Sequence, residues 1–115
     1  MKSFIKLMRT AIAPIPLIAN RTGYGGGDAV IYDLTTISYD KLKRLMRVKA
    51  TIVSDSMENA LAIENKLDET LVTFGDNPLT DTVLSCSHDG GGWMTDGDRH
   101  IRIAYYETTI KGGNL

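Results

Sequence analysis

The sequence is poor in residues that carry covalent chemistry and in long apolar segments. It has one cysteine, Cys86, and two histidines, His88 and His100. A single cysteine excludes an internal disulfide, and with it a disulfide-stapled secreted scaffold. No apolar run reaches the length of about 20 residues that spans a bilayer. Pro14 and Pro16 interrupt the apolar stretch near the N-terminus, which argues against a signal peptide.

These few reactive groups do not form a site of established spacing. Cys86 and His88 would share one face of a strand, but a zinc site needs three or four ligands, and among cysteines and histidines only His100 remains. No neighbouring residue marks an activated thiol. The glycine runs at 23–26 and 90–92 lack the strand-loop-helix context of a phosphate-binding loop. We therefore expect no catalytic residue, metal or cofactor, and we interpret both glycine runs as loops that become ordered on a partner.

Charge is unevenly distributed along the chain, although the formal net charge is -1. Residues 1–49 contain nine basic and three acidic groups, whereas residues 50–115 contain four basic and eleven acidic groups. Opposite charges on two sides of a molecule favour head-to-tail contacts between copies, which close into a ring when the rotation permits. The alternative is that the two halves interleave in the fold and their charges cancel locally.

A strand followed by a helix is the clearest local pattern. Residues 47–53 alternate between apolar and polar, which is typical of a strand with one buried side. Its predicted buried residues are Val48, Ala50 and Ile52. Beyond them, apolar residues recur at steps of three and four, which predicts a helix over 56–74. Either Asp55 or Ser56 can cap that helix, and Asp55 could form a capping box with Glu58.

The remaining segments complete one domain over residues 1–115. A helix is predicted over residues 2–13, and loops over 14–28 and 88–98. The predicted strands are 29–38, 45–54, 81–87 and 99–110. The order α-β-β-α-β-β contains two hairpins. It predicts an α+β fold with a mostly antiparallel four-stranded sheet and two helices on one face.

A basic run around the first hairpin is the best candidate for a binding surface. Its members are Lys41, Lys43, Arg44, Arg47 and Lys49. The run could contact nucleic-acid phosphates, but it lacks a recognition helix and interleaved aromatic residues. We favour a protein–protein surface, and the alternative is a solvated edge that resists strand pairing.

The predicted loop over 88–98 would supply an acidic counterpart. Asp89, Asp96 and Asp98 place negative charge there, and we predict that they belong to a subunit or partner interface. Trp93 lies between them, and an exposed tryptophan often anchors an interface. The alternative is that the Trp93 ring folds back over the sheet as part of the core.

The chain resembles the tail-terminator, or tail-completion, proteins of long-tailed bacteriophages over most of its length. The resemblance lies in the order of its segments. They are a helix, a proline-containing loop, a strand ending near Tyr32, a charged turn, the strand Arg47-Val48-x-Ala50, the helix Glu58-Asn59-Ala60-Leu61-Ala62-Ile63-Glu64, a third strand, a Gly-Gly-Gly loop and a last strand.

This resemblance implies a structural, non-enzymatic role. About six copies would form a hexameric ring on the head-proximal end of the tail tube, stop its polymerisation and join the tail to the neck. The sheet would contribute to the lumen or wall of the ring, and the loops and first helix would contact neighbours. Implied partners are the tail-tube protein, a neck or connector protein, and DNA that passes through the lumen without sequence-specific binding. The implied location is the virion, after assembly in the host cytoplasm and without membrane contact.

Two alternatives remain open beside the resemblance. Another neck, connector or tube-like subunit would share the size and the α+β character. A small ligand-binding domain or enzyme would require a pocket with perturbed titratable groups.

Overall fold

A five-stranded sheet carries two helices on one of its faces. The structure, a computed structural model, describes residues 2–20, 26–72, 78–80 and 82–111. Its elements are α1 (Lys2–Ile12), β1 (Leu17–Ala19), β2 (Ala29–Tyr39), β3 (Lys43–Ser54), α2 (Met57–Leu71), β4 (Val83–Asp96) and β5 (Arg99–Lys111). The end of the predicted second helix at 73–74, the predicted strand start at 81 and most of the first glycine run lie outside the described residues.

The strand order is β1-β2-β3-β5-β4, with β1 parallel to β2 and the other pairs antiparallel. The α+β class and both hairpins are confirmed, but the sheet is mixed and has five strands rather than four. The added strand, β1, lies in the predicted loop 14–28 and pairs Leu17 with Val30. The Val30 N–H also donates to the Pro16 carbonyl. Three residues after a proline are too few to show a strand period.

The prediction of a loop over 88–98 was wrong. β4 continues through this segment and remains paired with β5 as far as Asp96, which lies opposite Arg99. The turn is limited to Gly97 and Asp98, and Gly97 has a φ of 61°. Glycine at the first central position of a two-residue turn is typical of a tight hairpin. The acidic residues therefore lie on a paired hairpin and its two-residue turn, and not on a long loop.

The second glycine run belongs to the strand for steric reasons. A Cβ at Gly91 would overlap the carbonyl oxygen of Ile103 on β5, and glycine in a strand often marks such a close backbone approach. The register shifts between His88 and Gly91, and Gly90 has a φ of 82°. This is a β-bulge, in which one extra residue on β4 interrupts the ladder without ending it.

One face of the sheet, here called the helix face, shares a core with both helices. Val48, Ala50 and Ile52 are fully buried on it, as their alternation predicted. α1 adds Phe4, Met8 and Ile12, α2 adds Ala60, Ile63, Leu67 and Leu71, and the other strands add Val30, Val83, Cys86, Ala104 and Tyr106. Burying a side chain of the size of Val, Leu or Ile contributes about 1.5–3 kcal/mol, so this core is the main source of stability.

The opposite face, here called the open face, has no helix against it among the described residues. A small apolar cluster of Ile31, Val53 and Ile101 lies near one end of the sheet. Charged side chains follow along the same face toward the other end, where Arg47 lies opposite Glu107. The face is therefore part apolar and part charged.

The helix layer is shorter than the sheet. α2 begins at Ser56, whose hydroxyl accepts a hydrogen bond from the Asn59 N–H at 3.1 Å, so the cap is Ser56 and not Asp55. Its 15 residues span about 22 Å, whereas the 12 residues of β3 span about 40 Å. As a result the hairpin of β2 and β3 extends past α2. Within the described part of the chain, no helix is long and apolar enough to cross a membrane.

Candidate assembly interface

The two hairpins place opposite charges at opposite ends of the sheet. Residues 39–44, here called the basic tip, form the turn between β2 and β3. Residues 93–98, here called the acidic end, form the end of β4 and its turn into β5. β3 starts at the basic tip and ends beside the first residues of β5, where Ser54 pairs with His100. The longest dimension of the molecule is 45 Å, and the two surfaces lie near its two extremes.

At the basic tip a single carboxylate closes the turn. Asp40 Oδ1 accepts hydrogen bonds from the Leu42 N–H at 2.7 Å and the Lys43 N–H at 2.8 Å. These backbone hydrogen bonds, from Lys43 first and then Leu42, lower the pKa of Asp40. The ammonium groups of Lys41 and Lys43 are exposed and have no ion-pair partner among the described residues. Their positive charge is therefore available at the surface.

The basic tip also exposes apolar surface, which was not predicted from the sequence. Leu42 is 80% exposed and Tyr39 is 62% exposed. The Arg44 guanidinium lies 4.6 Å from the centre of the Tyr39 ring, and this cation–π contact holds both side chains together. The available signal was the position of Leu42, an apolar residue between two lysines in a turn.

Arg47 and Asp89, both predicted interface residues, bind each other within the chain. Arg47 Nη2 lies 3.2 Å from Asp89 Oδ2 and 3.1 Å from Glu107 Oε1, on the open face. Lys49 lies on the same face, opposite Asp33 of β2. The basic run is thus divided, with three members at the tip and two along the open face. In this second group Arg47 is compensated by its two carboxylates.

Trp93 is held at the edge of the helix face and remains 39% exposed. The Arg102 guanidinium lies 5.2 Å from its ring centre. Arg102 Nε donates to Glu64 Oε2 at 2.9 Å, and the same carboxylate oxygen lies 3.2 Å from His88 Nε2. Glu64 is only 6% exposed, so a buried ion pair from α2 fixes the arginine on which the tryptophan rests. Trp93 is therefore partly packed and partly available to a partner.

The acidic end has two exposed carboxylates, Asp96 and Asp98, and no basic residue. Neither has an ion-pair partner within the described part of the chain. Nearby, Arg99 pairs with Asp55 and, at 3.4 Å, with Asp28. One arginine pairs with two carboxylates there, so the surroundings of the acidic end also carry an excess of negative charge.

The cysteine and the histidines do not form a reactive site. Cys86 and His88 share the helix face, as predicted, but His88 pairs with Tyr106 whereas His100 pairs with Ser54 at the other end of the strands. Burial, and to a smaller extent the charge of Asp68, raises the pKa of Cys86 to about 12. The thiol is protonated at neutral pH and is a poor nucleophile. Among the described residues, no group of three or more His, Cys, Asp or Glu side chains could hold a metal ion.

The polar groups beside this cysteine hold α2 against the sheet. The Tyr106 hydroxyl donates to Asp68 Oδ1 at 2.6 Å, and burial together with this hydrogen bond raises the pKa of Tyr106. A surface pocket of about 480 Å³ adjoins them and is lined by Asp68, Glu69, Val72 and His88. Asp68 and His88 already bind Tyr106 and Glu64, so two of the four lining side chains serve the fold.

Comparison with solved structures identifies the same fold in a virus-like particle. A chain of the virion of native gene transfer agent (GTA) particle superposes with a TM-score of 0.65, covering 95% of this chain and 92% of that chain at 12% sequence identity. At this identity the similarity establishes the fold. No protein-family model matches the sequence, and a search of curated proteins finds no match.

Proposed function

We propose that this chain is a structural component of a phage-type virion, and that it terminates the tail tube. The observation that supports the proposal best is the similarity to a chain of a gene transfer agent virion over 95% of this chain and 92% of that one. The whole domain is shared, not a local motif. The order of elements that resembles tail-terminator proteins narrows the proposed role to the end of the tube.

In this role about six copies form a ring on the head-proximal end of the tube. The ring stops the addition of further tube subunits and offers its other side to a neck or connector protein. DNA passes through its lumen without sequence-specific contacts. The protein is incorporated into the virion after assembly in the host cytoplasm.

The buried chemistry is consistent with a non-enzymatic role. Cys86 has a pKa near 12 because it is buried, whereas a nucleophilic cysteine needs a lowered pKa. Tyr106 is likewise held protonated, as a donor to Asp68. Both groups contribute to the contact between α2 and the sheet.

Tube assembly in vitro tests this function. The tail-tube protein of the same particle is polymerised with and without this chain, and tube lengths are measured by negative-stain electron microscopy with gold-labelled chain. We expect shorter tubes with label at one end. A Leu67→Asp variant, whose core is disrupted, is the control and should leave tube length unchanged.

Two results would contradict the proposal. Tubes of unchanged length without terminal label would exclude a terminator. Label along the whole tube would instead identify a tube-like subunit.

A further inference from the structure

We propose that the basic tip of one copy docks on the acidic end of the next copy. This contact rests on the proposed function, because a ring requires a heterologous interface in which two different surfaces of the same chain meet. The two surfaces are the basic tip and the acidic end, and the partner that binds the basic tip is a second copy of this chain.

The two surfaces carry complementary charge. The basic tip has three cations and one carboxylate, Asp40, whose Oδ1 accepts hydrogen bonds from backbone N–H groups, so positive charge is in excess there. The acidic end has two carboxylates and no cation. Complementary potentials of this kind orient partners and reject wrong ones, since like charges brought together are strongly unfavourable.

Both charged surfaces also contain exposed apolar side chains. Leu42 and Tyr39 project from the basic tip, at 80% and 62% exposure, and Met94 and Trp93 lie at the acidic end, at 52% and 39%. An apolar centre with a polar rim is the usual anatomy of a protein interface. Charges alone on an exposed surface would contribute little.

The positions of the two surfaces allow contact only between different copies. The two surfaces lie at opposite ends of strands about 40 Å long, so they cannot meet within one chain. The basic tip also extends past α2, and the helix layer therefore does not block its approach to a neighbour. By contrast, Arg47 and Asp89 already pair within the chain, and we leave both outside the contact.

Zero-length crosslinking tests the contact directly. A carbodiimide joins a lysine amine to a carboxylate without a spacer, and peptide mass spectrometry locates the link. We expect links from Lys41 or Lys43 to Asp96 or Asp98, with a yield that rises with protein concentration and falls with salt. The distance within one chain excludes an intramolecular origin. A lack of such links at millimolar protein, with other lysines crosslinked, would overturn the proposal.

Charge exchange tests the pairing. Variant one is Lys41→Glu with Lys43→Glu, and variant two is Asp96→Lys with Asp98→Lys. We expect the amount of assembled protein to be at least about tenfold lower for each variant alone than for the wild type, measured by light scattering without crosslinker. An equimolar mixture should recover assembly with alternating copies. Circular dichroism should show that both variants are folded. If they are folded and their mixture still does not assemble, a contact between the basic tip and the acidic end is contradicted.

A matched control separates this contact from net charge. The triple variant Ala62→Glu, Asn65→Glu and Lys66→Glu changes the net charge as much as variant one, at three exposed positions of α2. It should assemble as the wild type does. An equal loss in this control would show that total charge, and not the basic tip, governs assembly.

The same variants, used in the tube assay, test the tip-to-end contact separately from the terminator function. If the mixture assembles but does not shorten tubes, the tip-to-end contact stands and the terminator function fails. If variant one shortens tubes as well as the wild type does, the function stands and the contact is wrong.

Discussion

The two halves of the β2–β3 hairpin differ in what surrounds them. In the half next to α2, β2 residues 29–31 are buried, and so are their partners on β3, residues 51–53. In the projecting half, β2 is exposed from residue 34 onward. The same two strands thus provide packing at one end and an accessible surface at the other. The comparison indicates that substitutions near the helices change folding, and that substitutions at the basic tip change association.

The largest expected effect is in the packed half of the molecule, at the ion pair under α2. Arg102→Ala leaves the Glu64 carboxylate, 6% exposed, without its arginine. We expect the free energy of unfolding in urea to fall by about 3 kcal/mol. Arg47→Ala removes an arginine that is 44% exposed from two carboxylates and should cost less than about 1 kcal/mol. If both variants lost the same free energy of unfolding, burial of the ion pair would not be the reason for the difference expected between them.

The next effect concerns the bulged strand. Gly91→Ala forces a Cβ onto the Ile103 carbonyl, and a shift of the backbone should lower the free energy of unfolding by about 1–3 kcal/mol. Gly92→Ala is the matched control, because no atom lies within 4 Å of its added Cβ. Thermal unfolding of both variants measures the difference. If Gly91→Ala is as stable as the control, the close approach of β4 and β5 is not present in solution.

A pH dependence should come from Cys86. Its pKa is about 12 in the folded chain and 9.0 without burial, so well below pH 9 both states hold the proton and this thiol contributes no pH dependence. Above it, the unfolded chain ionises first and stability is lost as the pH rises toward 12. Between pH 9 and 10 we expect a loss of about 1 kcal/mol in urea unfolding. The loss should be smaller in Cys86→Ala, and an identical loss in both proteins would assign it to other groups.

The smallest effect on stability is expected at the basic tip. Leu42→Ser changes a residue that is 80% exposed, so the free energy of unfolding should stay within about 0.5 kcal/mol of the wild type. Crosslinking between the basic tip and the acidic end should nevertheless fall severalfold. Leu61→Ser, on the outer side of α2 and 40% exposed, should alter neither quantity. A large loss of stability in Leu42→Ser would remove the distinction between the two halves of the hairpin.

Elements with a strong hydrophobic period were predictable from the sequence. The alternation at 47–53 and the helical spacing that follows gave β3, α2 and the buried residues Val48, Ala50 and Ile52, because burial on one face imposes that period. The strand over 88–96 was missed because its glycines have no side chains and so show no period. Their cause, the closeness of Gly91 to the Ile103 carbonyl, depends on the pairing of β4 with β5.

The candidate interface was only partly predictable, for a related reason. Charge along the sequence identified all five residues of the basic run, but strand pairing decides which of them meet a carboxylate. Arg47 meets Asp89, 42 positions later in the chain. Leu42 is exposed because the hairpin extends beyond α2. This depends on the difference in length between the hairpin and the helix, which cannot be read from either segment alone.

The position of β5 has a consequence for how fast this chain folds. β5 lies between β3 and β4, so Lys43 pairs with Lys111 and Ser54 pairs with His100, which are separations of 111 - 43 = 68 and 100 - 54 = 46 positions. Contacts so distant in sequence slow folding, because the intervening chain must be ordered first. Until β5 arrives, β3 has an unpaired edge beside an apolar face, which is a state prone to aggregation. Folding yield should therefore depend on temperature and protein concentration during synthesis more than the stability of the finished domain would suggest.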